Sequence, residues 1–394
     1  MPFKLNRIRT VRTMTDDAAK QAALAARAHD WLFGACFPFW AARGVDPRGG
    51  FVERLTLDGA PLRDETSRVR VQARQTYVFA QAALMGWRKD RACALAALGV
   101  ETLLGRCRRD DLLFGKTMRP GEGLADDQPD LYDNAFCLMA LAFAARALGD
   151  MSLLAEAGRT LAALDEKLAH PAGGYHETLP PTLPRRQNPH MHLFEAVLAL
   201  HAASGEDRYL ERADALARLA GDRFIDSAGA LREYYAGDWS PAPGAKGELI
   251  EPGHLFEWTW LLSVHAKAKG KEPPAAAGLL YAVGLPFLNA RGLAPQEANI
   301  RGRIIDGSRR CWQQTEALKA HIVMSEAGDG DARGRAALCL SSFFEDYLSG
   351  VPDGGWRDHF SAEGAPLATD MPASTGYHVV LAFSEFIRAF GAGR

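Results

Sequence analysis

The stretch EPGHLFEWTWLL sets His254 and Glu257 inside a run of leucine, phenylalanine and tryptophan. Residues three apart on a helix share a face, so the imidazole and the carboxylate point the same way. A buried polar pair is costly unless it is satisfied or used. Most such histidines are satisfied members of a core. The alternative is a face lining a cavity, where an imidazole can shuttle protons at a carbon beside a carbonyl. Arg74, His192, Glu316 and His378 stand in similar apolar surroundings, in VQARQTYVFA, NPHMHLFEAVLAL, CWQQTEALKAH and STGYHVVLAF.

What must position these residues is helical. Apolar residues recur at three- and four-residue spacing, as in LLAEAGRTLAALDEKL, and strand-like alternation is rare. The turns between helices repeat. DPRGGFVERL, HPAGGYHETL and PDGGWRDHF share a Gly-Gly-aromatic core with an acidic residue close behind, and DDLLFGKT, SAGALREYY and NARGLAPQE are weaker relatives. With Phe51, Leu113, Tyr175, Leu231, Leu293 and Trp356 as markers, the intervals are 62, 62, 56, 62 and 63 residues. A period of this size holds a helical hairpin. Six hairpins closing on themselves bury every apolar face, whereas an open solenoid needs polar caps. The expected fold is therefore an all-α (α/α)6 barrel, one domain over 21–394 behind a polar arm at 1–20.

The polar residues fall in phase with this repeat. Arg74, Phe136, His192 and His254 each precede the next marker by 39 residues, and Glu316 precedes it by 40. His378 follows Trp356 by 22 residues, and His254 follows Leu231 by 23. Equivalent positions in a closed ring stand at one height about its axis, and core filler would not gather histidine, arginine and glutamate there. A turn earlier lie Arg70, Tyr132, Asn188 and Ser374, a second polar layer. The barrel is expected to have one polar mouth, with Trp258, Trp260 and Trp312 offering faces to sugar C–H surfaces.

Bulk properties narrow the partners. The 394 residues are 47% hydrophobic and 24% charged, an ordinary globular balance. A formal charge of −2 gives no electrostatic case for nucleic acid or an anionic membrane. No apolar run in the sequence suggests a membrane span, and the basic start lacks the apolar core of a secretory signal. Six scattered cysteines without a CxxC pair suggest reduced thiols and a cytoplasmic protein, monomeric or homodimeric.

Several chemistries fit a histidine-rich mouth. His190 and His192 diverge by about 200° on a helix and cannot both face the axis. A zinc trio of His192, His254 and His378 would need a narrow cavity, so neither metal nor cofactor is expected. Glu257 and Glu316 could serve a glycoside hydrolase. A non-catalytic helical-repeat scaffold is a further alternative. It predicts polar residues scattered along its inner surface.

VQARQTYVFA, LYDNAFCLMALA, NPHMHLFEAVLAL, EPGHLFEWTWLL, CWQQTEALKAH and STGYHVVLAF resemble, in order, the motifs of the N-acylglucosamine 2-epimerase superfamily, over about residues 30 to 390. The resemblance implies an (α/α)6 barrel acting on a sugar without metal. It implies His254 and His378 as the acid/base pair, with Arg74 on substrate oxygens and His192 and Asn188 aiding ring opening or holding the sugar. Glu257 would orient His254, and His378 would be free of any partner beyond Ser374. Tyr132, Trp312 and Glu316 would complete the wall, Glu316 pairing with Arg74 or a histidine. The text is most similar to the mannose isomerase branch, so the expected reaction is aldose–ketose isomerisation through an enediol. A 2-epimerase is the alternative. Arg185 and Arg186 leave a 6-phosphate open.

Overall fold

A computed structural model describes residues 18–391. The proposed polar arm lies outside the described residues, apart from 18–20, which begin a helix.

Twelve main helices alternate between two environments. Outer helices are α1 (18–43), α3 (Lys89–Thr102), α5 (Ser152–Leu168), α7 (Asp207–Leu219), α9 (Ala275–Gly284) and α11 (Ala332–Asp346). Inner helices are α2 (Val69–Leu84), α4 (Leu131–Leu148), α6 (Asn188–Ser204), α8 (Pro252–Ala268), α10 (Cys311–Glu326) and α12 (Thr375–Phe390). Outer helices bury a stripe; α7 buries only Tyr209, Ala213 and Leu216. Inner helices are buried almost all round, as helices packed on every side must be. This explains α4, which is long and apolar enough to cross a membrane, contrary to the sequence expectation, yet is mostly buried among its neighbours.

Each inner helix packs on the next in chain order, and α12 lies against α2. Here Gln75 Nε2 donates to Ala373 O at 2.6 Å, and the rings of Tyr77 and Tyr377 meet edge to face. The connections entering the inner helices are not wholly irregular, a correction to the purely helical expectation. They contain short antiparallel strands, such as Ser67–Arg68 against Thr117–Arg119. Arg54–Thr56 pairs with Asp370–Pro372, joining the first connection to the last. All six cysteines are unpaired.

The repeated turn has a specific clamp. Gln72 brackets Phe51, its Oε1 accepting from the Phe51 amide at 2.8 Å and its Nε2 donating to the carbonyl at 2.7 Å. Asn134 does the same for Phe114, and Gln314 for Ala294. In the third repeat Nε2 of His190 accepts from the Tyr175 amide at 3.0 Å. Glycine is required beneath the His190 clamp. A Cβ on Gly174, at φ +71°, would stand 2.8 Å from that Nε2. The clamped residues show that the true equivalents of Phe51 are Phe114 and Ala294, one position after the Leu113 and Leu293 chosen from sequence.

Candidate active site

On three inner helices the clamp residue and the axis-facing residue sit two apart: Gln72 and Arg74, His190 and His192, Gln314 and Glu316. One side chain is spent on the turn and the next points inward. His190 is thus a structural histidine, fully buried, whose Nδ1 reaches Arg186 O at 3.2 Å.

The axis-facing set converges near the N-terminal ends of the inner helices. Arg74 donates from Nη2 to Tyr132 Oη at 2.8 Å and from Nη1 to Ser374 O at 3.4 Å, with its guanidinium over the Phe136 ring. His192 packs on Tyr132 and Phe136, and its Nδ1 is 3.2 Å from Glu195 Oε2. Trp312 stands beside both remaining histidines, its ring centroid 4.9 Å from His254 and 6.1 Å from His378. Asn188 Nδ2 is 3.2 Å from His254 Nε2. Arg70 is turned to a salt bridge with Asp133 at 2.9 Å.

Two expected partnerships are wrong. Glu257 does not orient His254. The Nδ1 of His254 instead lies 2.9 Å from Glu233 Oε1 and 3.8 Å from Glu251 Oε2. Gln187 holds Glu233 in place, donating to its Oε2 at 3.0 Å while accepting from Trp258 Nε1 at 2.7 Å. Trp258 therefore belongs to this support rather than to a sugar-facing wall. Glu257 turns the other way. Its Oε1 lies 3.8 Å from His192 Nδ1, and neither carboxylate oxygen has a hydrogen-bond partner. Nor is His378 free, since its Nδ1 is 2.9 Å from Glu316 Oε1, and Glu316 Oε2 lies 2.6 Å from the buried Lys319 Nζ. Trp260 packs its ring on that ammonium.

These contacts drive the histidines apart in protonation. Burial works against charge on His254, but the Glu233 and Glu251 carboxylates overcome it and raise its pKa to about 10. An imidazolium there needs an acceptor at Nε2; turning the Asn188 amide brings up its otherwise unpartnered Oδ1. Burial, with the Arg74 and Lys319 cations, holds His378 well below the usual histidine range. His192 is lowered to about 4, chiefly by burial, against the pull of Glu195. Burial and then the Glu316 carboxylate push Glu257 well above the carboxylate range, which favours its neutral form.

Sequence reasoning missed Glu233, Glu251, Gln187, Glu195, Lys319 and Tyr377, whose hydroxyl donates to Glu195. One signal was present. Glu233 is the acidic residue that follows the repeated turn, seen as a pattern but given no role. Of the arginines considered for phosphate, Arg185 is buried under Trp239. Arg186 is half exposed, 3.6 Å from Asp130. Among the described residues, two groups have the spacing of a metal set, His192–Glu195–Glu257 and Glu233–Glu251–His254. In each the histidine Nδ1 already faces a carboxylate as a hydrogen-bond donor.

Comparison with known proteins places this geometry. Residues 49–382 match the N-acylglucosamine 2-epimerase family. The chain is 38% identical to a mannose-6-phosphate isomerase of Rhizobium meliloti (strain 1021), across 90% of this chain and 94% of that one. It is 28% identical to a D-mannose isomerase of Thermobifida fusca, across 75% and 77% of the two chains. Its structure is similar to that of cellobiose 2-epimerase from Spirochaeta thermophila DSM 6192, with a TM-score of 0.85 at 25% identity, covering 94% of this chain and 97% of that one. The chain belongs to the N-acylglucosamine 2-epimerase family of sugar isomerases and epimerases.

Proposed function

We propose that the chain is a closed (α/α)6-barrel isomerase that interconverts an aldose and its 2-ketose, of the mannose and fructose type. The observation that carries the reading is the opposed state of the two histidines beside Trp312. Two carboxylates at Nδ1 of His254 raise its pKa, whereas burial with the Arg74 and Lys319 cations lowers that of His378, whose Nδ1 meets Glu316. Environments that split two like groups in this way assign the acid and the base.

In the open-chain aldose, Nε2 of His378 removes the C2 proton while His254 protonates O1, giving the enediol. The proton on His378 returns to C1, and the O2 proton passes to His254. The ketose forms with both histidines restored. Arg74 with Tyr132 holds the developing oxygens, and Asn188 and His192 line the sugar's path. Trp312 offers its face to the sugar's C–H surface. Neutral Glu257 adds no negative charge beside the enediol.

The D-mannose isomerase and mannose-6-phosphate isomerase names of the relatives support the isomerase reading. Arg186, half exposed and two residues before Asn188, is a cation that a 6-phosphate could meet. The structural likeness to cellobiose 2-epimerase supports a second reading, in which the proton returns to the opposite face of C2. Incubation with mannose, mannose 6-phosphate, N-acetylmannosamine and cellobiose, followed by product analysis, separates the two. Fructose or its phosphate is expected. A 2-epimer as the main product overturns the isomerase reading.

A further inference from the structure

Lys319 is the most deeply buried cation among the described residues of the site, and no step above uses it. It sits on α10 one turn after Glu316, with no solvent exposure. Its Nζ is 2.6 Å from Glu316 Oε2 and 3.9 Å from the centre of the Trp260 ring. An ammonium cut off from water is costly, and an apolar side chain of similar length would fill the same space. What it faces gives it a use. Glu316 presents one oxygen to Lys319 and the other to His378 Nδ1. Other groups around this pair are Glu195 and His192 from α6, Glu257 from α8, Arg74 from α2 and Tyr377 from α12.

We infer that Lys319 is a positioning residue for the reaction: it anchors one oxygen of Glu316, so that the other oxygen holds the Nδ1 hydrogen of His378 and leaves Nε2 as a bare base. This rests on the reading of His378 as the base. Without the ammonium, Glu316 loses the contact that fixes its second oxygen, and its hold on Nδ1 of His378 loosens. With Nδ1 no longer held, the imidazole hydrogen is free to move to Nε2, and the base is lost. The tautomer is set by the bond that the other nitrogen makes. Loss of the nearby positive charge also makes His378 itself easier to protonate. This second effect moves the acidic limb of activity to higher pH.

The test is Lys319→Met in the full chain, with turnover followed against pH. At pH 7 kcat should fall roughly tenfold or more, the scale on which a positioned base contributes. KM should stay nearly unchanged. The acidic limb of kcat should rise by about one pH unit, with much of the lost rate recovered above it. In a Glu316→Gln background, adding Lys319→Met should cost little more. A lowered melting temperature with kcat and its acidic limb unmoved means a merely structural ion pair and overturns the inference, as does additive loss in the double variant. Should Lys319→Met fail to fold, nitrogen-15 spectra of the histidines in the native chain decide. A His378 hydrogen on Nδ1 supports the inference, and one on Nε2 overturns it. Separately, His378→Ala that retains turnover removes the base assignment itself, whatever the tautomer.

Discussion

Nδ1 of His254 lies 2.9 Å from Oε1 of Glu233, a residue 21 positions earlier in a different part of the repeat. Glu233 is buried, and its second oxygen is held by Gln187. The pair fixes one proton on Nδ1 and turns Nε2 towards Asn188. The acid of the proposed reaction is therefore defined by a loop carboxylate rather than by its own helix.

This pairing predicts the pH profile. Activity that needs charged His254 should hold to high pH and fall as pH rises through about 10. Glu233→Gln should bring that alkaline limb down towards the ordinary histidine value of ~6.5, stopping short because Glu251 remains. The stability term has the same sign. A raised pKa stabilises the fold fully below pH ~6.5, and that contribution fades as pH climbs through the folded value. Initial rates and melting temperatures from pH 5 to 11 check both, and an alkaline limb unmoved in Glu233→Gln contradicts the assignment.

The two histidines of HMH should behave differently. His190 Nε2 accepts the Tyr175 amide, and the site is closed to water. His190→Ala should cost about 1–3 kcal/mol of stability by orphaning a buried donor, with kcat nearly intact in the folded fraction. His192→Ala should lose activity with a smaller change in melting temperature. His321, held by Tyr281 Oη at 2.7 Å, is a second structural control. Equal losses of kcat at His190, His192 and His321 would point to unfolding.

Much of this was written in the chain, at the level of helical phase. The repeat, the inner face and the convergence of Arg74, His192, His254, Glu316 and His378 follow from spacing, because a helix fixes direction by residue number. The hydrogen-bond partners do not. Tyr377 reaches Glu195 across 182 positions, a contact that phase cannot supply, whereas the contact of His378 with Glu316 joins equivalent positions one repeat apart and meets the expectation that Glu316 pairs with a histidine. Glu257 shares a face with His254, but its carboxyl is drawn towards His192 and the Glu316–Lys319 pair. Lys319, read alone, looks like any solvated helix lysine. The slip at Leu113 and Leu293 arose because those turns lack the Gly-Gly pair that marks the register elsewhere.

Prolonged EDTA treatment should leave activity unchanged. Both clusters with metal spacing have their histidine Nδ1 hydrogen directed at a carboxylate, and a ligating nitrogen must be bare. Turnover measured before and after chelation, with zinc or manganese added back, decides this. Loss on chelation and recovery with metal would make these histidines ligands.

The path of the proton gives the sharpest test. With mannose in D2O, fructose should carry deuterium at C1 to the extent that His378 exchanges its proton with solvent before returning it. The two histidines then part company. His378→Asn removes the group that takes the C2 proton, so exchange and turnover should fall together by roughly two to four orders of magnitude. His254→Asn loses protonation of the oxygen, to which we add the opening of the ring, while His378 keeps Glu316 on Nδ1 and remains a base. It should lose turnover of the cyclic aldose to a similar degree but retain measurable C1 exchange on the fraction of fructose that is already open. Mass spectrometry and proton NMR of recovered sugars read both quantities. Exchange lost equally in the two variants would mean that one histidine cannot be assigned the carbon proton and the other the oxygen.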